Sequence, residues 1–107
     1  MTVKEMIEYT DKLKPNSFDF EIKLSWINQV EGMLQSEILK MPLDKIKVLS
    51  NENDTLSIMH PYSQAYSFYI ASMIDFFSGD FAKYENSSAA YNDVMKRYAK
   101  YLLRGVK

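Results

Sequence analysis

"FFSGDFAKYENSSAAYN", residues 76–92, holds five aromatic rings, one glycine and a run of small polar side chains in seventeen positions. It reads either as a binding surface or as the inside of a helical bundle, and spacing separates the two. Phe81, Tyr84, Ser88, Tyr91, Met95, Tyr98 and Leu102 alternate by threes and fours, and Tyr84, Tyr91 and Tyr98 stand seven apart. That is the repeat of a helix laid lengthwise along a partner. The rings therefore read as core rather than as a ligand box. Ser87, Ser88, Ala89 and Ala90 are small, so a second element can approach closely there. Tyrosine in place of leucine brings hydroxyls that need water or a polar partner, which makes the seam only partly dry. Gly79 ends the preceding helix, and Asp80 caps the last one over about 81–104.

Working back along the chain, Tyr62, Tyr66, Tyr69, Met73, Phe76 and Phe77 fall on one face of a helix over about 62–78, with Pro61 in its first turn. At the other end, Thr2 and Glu5 match a capping box. Val3, Met6, Ile7, Thr10 and Leu13 follow at helical spacing until Pro15 and Asn16. Ser17 or Asp19 caps a long second helix over about 19–40, with Phe20, Leu24, Ile27, Val30, Leu34, Ile38 and Met41 as its apolar stripe. Trp26 and Met33 widen that stripe, and Pro42 ends the helix. "KIKVL" and "TLSIM" flank the turn-forming "SNEND" in residues 45–59, a pattern that predicts a short β-hairpin or an irregular excursion. A lone hairpin is marginal in water, so it must pack on the helices or pair with another subunit.

The fold class is thus mostly α: one four-helix domain over residues 1–107, with a short first helix and long second and fourth helices. Leu24, Trp26, Ile27, Tyr69, Met73, Phe77, Tyr84 and Tyr91 are its expected core.

The totals agree with one globular domain, with 47% hydrophobic and 25% charged residues. No cysteine is present, which excludes disulfides, thiolate metal sites and a cysteine nucleophile. "MTVKEMIEYTDKL" lacks the features of a cleaved signal peptide, and no apolar run approaches the ~20 residues needed to span a bilayer. A net charge of −1 argues against a general nucleic-acid binder. The charge is uneven, however. After Asp93 there are no acids, while Lys96, Arg97, Lys100, Arg104 and Lys107 remain. Cations suit the last turns of a helix, where the macrodipole is negative. The sharper reading is a basic segment that docks on an acidic surface.

Nothing in the chain selects a reaction. His60 is the only histidine, and with no spaced carboxylate cluster beside it, it reads as a turn residue before proline. A histidine-based triad lacks its partners. Gly32, Gly79 and Gly105 stand too far apart for a phosphate loop. Glu5, Glu8 and Asp11 read as a solvated helix face. No cofactor, metal or catalytic residue is expected.

Two long stretches carry a resemblance. "KLKPNSFDFEIKLSWINQVEGML" resembles the start of small proteins encoded in the capsid and neck gene clusters of tailed phages and prophages of Gram-positive bacteria. The matching residues are Leu13, Pro15 and Asn16, then Trp26, Ile27, Val30, Glu31 and Gly32. The C-terminal half matches at Pro61, Tyr62, Tyr66, Tyr69, Ala71, Ile74, Asp75, Phe77, Tyr84, Asn86 and Asn92. The chain is similar to head–tail connector, or adaptor, proteins. The resemblance implies a ring of about twelve subunits, seated beneath the portal protein and meeting a tail-side neck protein. It implies a virion location after synthesis in the host cytoplasm, no membrane, and only non-specific proximity to DNA. On that reading Lys96, Lys100, Arg104 and Lys107 are candidate portal contacts. Ile46, Val48, Leu56, Ile58, Tyr98 and Tyr101 are candidate inter-subunit contacts. A small helical regulatory or inhibitor protein that docks a helix face on a partner is the alternative.

Overall fold

Thr2 begins the first helix as expected: its hydroxyl accepts from the Glu5 N–H at 3.2 Å, and its own N–H donates to Glu5 Oε1 at 2.9 Å. The computed structural model describes residues 1–104, in which four helices account for most of the chain. They are α1 (Val3–Leu13), α2 (Phe20–Met33), α3 (Gln64–Phe77) and α4 (Phe81–Leu103).

A polar knot turns α1 into α2. The Asn16 amide donates to Asp11 Oδ1 at 2.9 Å and to the Lys14 carbonyl at 3.0 Å, and its oxygen accepts from the Phe18 N–H at 3.1 Å. Lys23 reaches back from α2 to the same Asp11 at 2.9 Å. Asp11 therefore holds a turn together, whereas Glu8 lies exposed on α1. Asp19, not Ser17, caps α2 by accepting from the Ile22 N–H at 3.0 Å.

The second helix is shorter than the spacing predicts. Its regular part ends at Met33, and the chain continues through a π-helical turn, Leu34–Ile38. The Leu39 N–H reaches the Leu34 carbonyl at 2.9 Å, five residues back. Lys40 then adopts a left-handed conformation, φ 58°, ahead of Pro42.

No hairpin forms among the described residues. The segment between α2 and α3 is an irregular excursion with a 3₁₀ turn at Leu43–Lys45. Its two apolar runs do not pair with each other because side chains of α2 and of the π-helical turn after it take the place of a neighbouring strand. Gln35 accepts from the Lys47 N–H and donates to the Lys47 carbonyl, both at 2.8 Å. Asn28 does the same for Leu49 at 2.8 and 2.9 Å. The second run meets the start of the chain instead, through an antiparallel bridge between Thr2 and Thr55. The Val3 and Lys4 N–H groups, which have no partner inside α1, donate to the Asp54 and Glu52 carbonyls at 3.0 and 2.9 Å.

The core lies between α1, α2 and α3, with α4 packed along α3. Val3 and Met6 of α1, Ile27 and Val30 of α2, and Ala65, Tyr66, Ile70 and Ile74 of α3 are buried together. Leu56 and Ile58 of the excursion close this core, at 2% and 1% exposure. The buried face of α3 is thus centred on Tyr66, Ile70 and Ile74, and Tyr69 and Met73 lie half-buried beside it. Pro61 falls in the turn preceding α3 rather than in its first helical turn; the His60–Pro61 peptide bond is cis. Gly79, at φ 79°, makes the turn into α4, where a side chain would be strained. Asp80 caps α4 by accepting from the Lys83 N–H at 3.1 Å.

Candidate functional site

The opening stretch divides at its turn. On α4 the seam turns inward from Tyr84 onward: Tyr91 is buried, Tyr84, Ser88, Met95, Tyr98 and Leu102 are half-buried, and Val94, outside the seam, is buried beside it. The Tyr91 ring meets Tyr69 of α3 edge-on, with centroids 5.0 Å apart. At the turn itself the rings face outward. Phe76, Phe77 and Phe81 are 44%, 60% and 59% exposed.

These three belong to one continuous aromatic cluster. Phe77 stacks on Trp26 at 6.1 Å and lies 6.4 Å from Phe18. Phe76 contacts Phe77, Phe81 and Tyr84 at 5.3, 6.0 and 5.4 Å. Trp26 is buried, so the cluster is rooted in the core and open at its tip. Phe77 is therefore a lid on the core rather than a member of it. A run of spacings shows which residues share a face but not where the facing helix ends, and here α3 itself ends.

Beside the tip runs a groove of about 590 Å³, lined by α2, α3, α4 and the excursion, with Met73, Tyr84 and Ile46 among its walls. Of the six residues expected at subunit contacts, Ile46 is half-buried in this groove, and Val48 and Tyr101 are exposed. Tyr98 is half-buried against Tyr62. Leu56 and Ile58 are core residues and offer no surface to a neighbour. Without a hairpin, their side chains fold inward onto α1, α2 and α3.

Lys96, Lys100 and Arg104 are exposed along α4. Among the described residues their neighbour Arg97 is the one cation of that helix's C-terminal half in an ion pair, with Asp93 at 3.0 Å. Lys107 lies outside the described residues. The structure thus separates an aromatic end of the α3–α4 hairpin from a basic end.

Two buried carboxylates hold the scaffold behind these surfaces. Glu31 of α2, 2% exposed, accepts from the Ser57 N–H at 3.1 Å, from the Ser57 hydroxyl at 2.5 Å and from the Tyr66 hydroxyl. Burial raises the Tyr66 phenol above the ordinary tyrosine range, and the hydrogen bond to Glu31 raises it further. The phenol therefore remains a firm donor. Asp75 of α3, 4% exposed, accepts from Lys14 at 2.7 Å and from the Ser87 hydroxyl at 3.3 Å. Both are readable after the fact. Glu31 stands with Ile27, Val30 and Leu34 at i, i+3, i+4 and i+7, which puts a charge on the apolar stripe. A charge there requires a partner.

Among the described residues no group of three or more histidine, cysteine or acidic side chains is placed to hold a metal. His60 is exposed in its turn. Among the described residues no helix is long and apolar enough to cross a membrane. The chain matches no protein-family model, no curated protein and no solved structure.

Proposed function

We propose that this chain is a structural subunit of the head–tail connector type, which self-associates into a ring and bridges a phage portal to the tail-side neck. The observation that carries the reading is the exposed aromatic tip, Phe76, Phe77 and Phe81, rooted through Trp26 in a rigid core. Clustered exposed aromatics next to buried ones are the composition of interface centres rather than of ordinary surface. The partner is a second copy. A closed ring uses two different patches on each subunit, one fitting the other. The tip exposes three phenylalanine rings, and the neighbouring groove of about 590 Å³ is a recess lined partly by tyrosine and methionine.

The basic end supports the second half of the reading. Lys96, Lys100 and Arg104 are exposed on one helix and leave the aromatic end free for a neighbour. Exposed cations add little to folding but speed encounter with an acidic surface. The resemblance of the chain to connector proteins supplies the identity of that surface, a portal, and the virion as the place of action.

A regulatory protein that lays one helix on its target is the second reading. The breadth of the exposed face of α4, a helix of which only Tyr91 and Val94 are buried, favours it. Native mass spectrometry with negative-stain microscopy, on the protein alone and mixed with its cognate portal, separates the two. The connector reading expects one closed oligomer seated on the portal. A one-to-one complex with some other protein, and no assembly with the portal, would favour the regulator.

A further inference from the structure

At the basic end of the molecule, away from the aromatic tip, lies a second hollow of about 560 Å³. Tyr62, Tyr98 and Tyr101 form one side, and Ser57 and His60 contribute to the rest. The three rings form a compact group: Tyr62 lies 5.0 Å from Tyr98 and 5.5 Å from Tyr101, and Tyr98 and Tyr101 are nearly parallel at 6.5 Å. We propose that this hollow binds an organic cation of the guanidinium or alkylammonium class.

Three observations point to a cation rather than to an apolar or anionic ligand. First, the ring faces carry the negative part of the aromatic quadrupole, which attracts a cation held within about 6 Å of a centroid. Second, a buried carboxylate lies behind the wall. Ser57 lines the hollow, and the same Ser57 donates twice to Glu31. The donors to Glu31 are two groups of Ser57 and one tyrosine hydroxyl, all neutral, and no ion pair among the described residues includes it. Its charge is thus uncompensated by a cation among the described residues, and in a poorly polarisable interior its field extends further than it would in water. Third, among the described residues no lysine or arginine lines the hollow, although Lys100 and Arg104 flank Tyr101 in sequence. The rings and the carboxylate act with the same sign, and of the lining residues only His60 can carry an opposing charge.

The space exceeds what a guanidinium alone fills, so the ligand brings further atoms with it. These are the backbone around a partner's arginine or lysine side chain, or the body of a free quaternary ammonium compound. The site is independent of whether the chain forms a ring.

The test is a titration of the ¹⁵N-labelled full chain, followed by amide chemical shifts. One arm uses N-acetyl-arginine amide and the other choline. Each has an uncharged isostere as control: N-acetyl-citrulline amide and 3,3-dimethylbutanol. Saturable shifts at Ser57, Tyr62, Tyr98 and Tyr101 are expected with at least one cation, and at least about fivefold weaker binding of its neutral isostere. Binding of the arginine amide alone assigns the hollow to a polypeptide partner; binding of choline alone assigns it to a small molecule. Tyr101→Leu, at an exposed position, should fold normally and weaken the cation about fivefold or more. Glu31→Gln should weaken it too if the variant melts cooperatively. No saturation by either cation up to about 50 mM, or equal binding by the neutral isosteres, overturns the proposal.

Discussion

The Tyr66 hydroxyl of α3 donates to the Glu31 carboxylate of α2, and the same hydroxyl accepts from the Ile58 N–H of the excursion at 3.0 Å. One phenol therefore ties three segments together inside the core. Tyr66→Phe leaves the Ile58 N–H without its acceptor and Glu31 with Ser57 alone. The expected loss is about 1.5–3 kcal/mol, the range for hydrogen bonds to a charged group. Urea denaturation measures it. An unchanged midpoint with an unchanged slope would show that the contact contributes nothing.

The phenols also set the alkaline limit of stability. Burial raises Tyr66, Tyr69, Tyr91 and Tyr98 above the ordinary range near 10, with the Glu31 hydrogen bond adding to the effect at Tyr66 and the Tyr69 ring adding at Tyr91. For a group raised on folding, the contribution is complete below the unfolded value and is lost as pH rises through the folded one. Stability should therefore hold up to about pH 10 and fall above it. In a phenolate absorbance titration, part of the tyrosine signal should appear only with loss of the helical circular dichroism. Full ionisation before any unfolding would contradict the burial of these rings.

Lys14 and Asp75 make the second internal tie, between the end of α1 and the end of α3. Asp75 is buried, whereas the Lys14 side chain remains about a quarter exposed, at 26%. Lys14→Met removes the cation and leaves the carboxylate with the Ser87 hydroxyl alone. Breaking a fully buried pair costs about 3–5 kcal/mol, and the partial exposure of Lys14 reduces this to about 1–3 kcal/mol. Asp75→Asn in the Lys14→Met background should recover part of the loss, since it removes the unpaired charge. A double-mutant cycle by chemical denaturation reads both.

Core and seam positions should respond differently. Ile27, fully buried, should cost about 2–5 kcal/mol when cut to alanine. Met73 lines the groove and is half-buried, so Met73→Ala should cost less than Ile27→Ala. Equal losses would mean that the groove is closed in solution by a neighbour.

Helix positions were legible because their punctuation is local. The Thr2–Glu5 box, the Asp19 and Asp80 caps, the Pro15–Asn16 break and Gly79 each act within four residues. The choice between hairpin and irregular excursion was not legible, because Gln35 and Asn28 bind the segment from 12 and 21 residues away. No pattern within residues 45–59 shows that an amide side chain will stand in for a strand. The exposure of Phe76, Phe77 and Phe81 was hidden for another reason: spacing marks a face, whereas the length of the facing helix decides where that face meets water. The signal available was position, since all three flank the Gly79 turn.

Charge at the other end gives a further outcome. Changing Lys96, Lys100 and Arg104 together to glutamate should leave the fold intact, with a loss below about 1 kcal/mol for each exposed position. On the connector reading, association with the portal slows and loses its salt dependence. Normal joining of heads to tails by the folded variant would remove the basic segment from the interface and leave the aromatic tip as the remaining contact.

On the proposed function, the aromatic tip is the surface through which subunits associate. Sedimentation velocity of the wild-type chain and of the Phe77→Ser/Phe81→Ser variant, each at several concentrations and with matched circular dichroism, tests it most directly. Both positions are mainly exposed, so the variant should keep its helices. The wild type should form a discrete higher oligomer with rising concentration, and the variant should remain monomeric. A wild type that stays monomeric at every concentration and on the portal, or a variant that assembles as the wild type does, would contradict it.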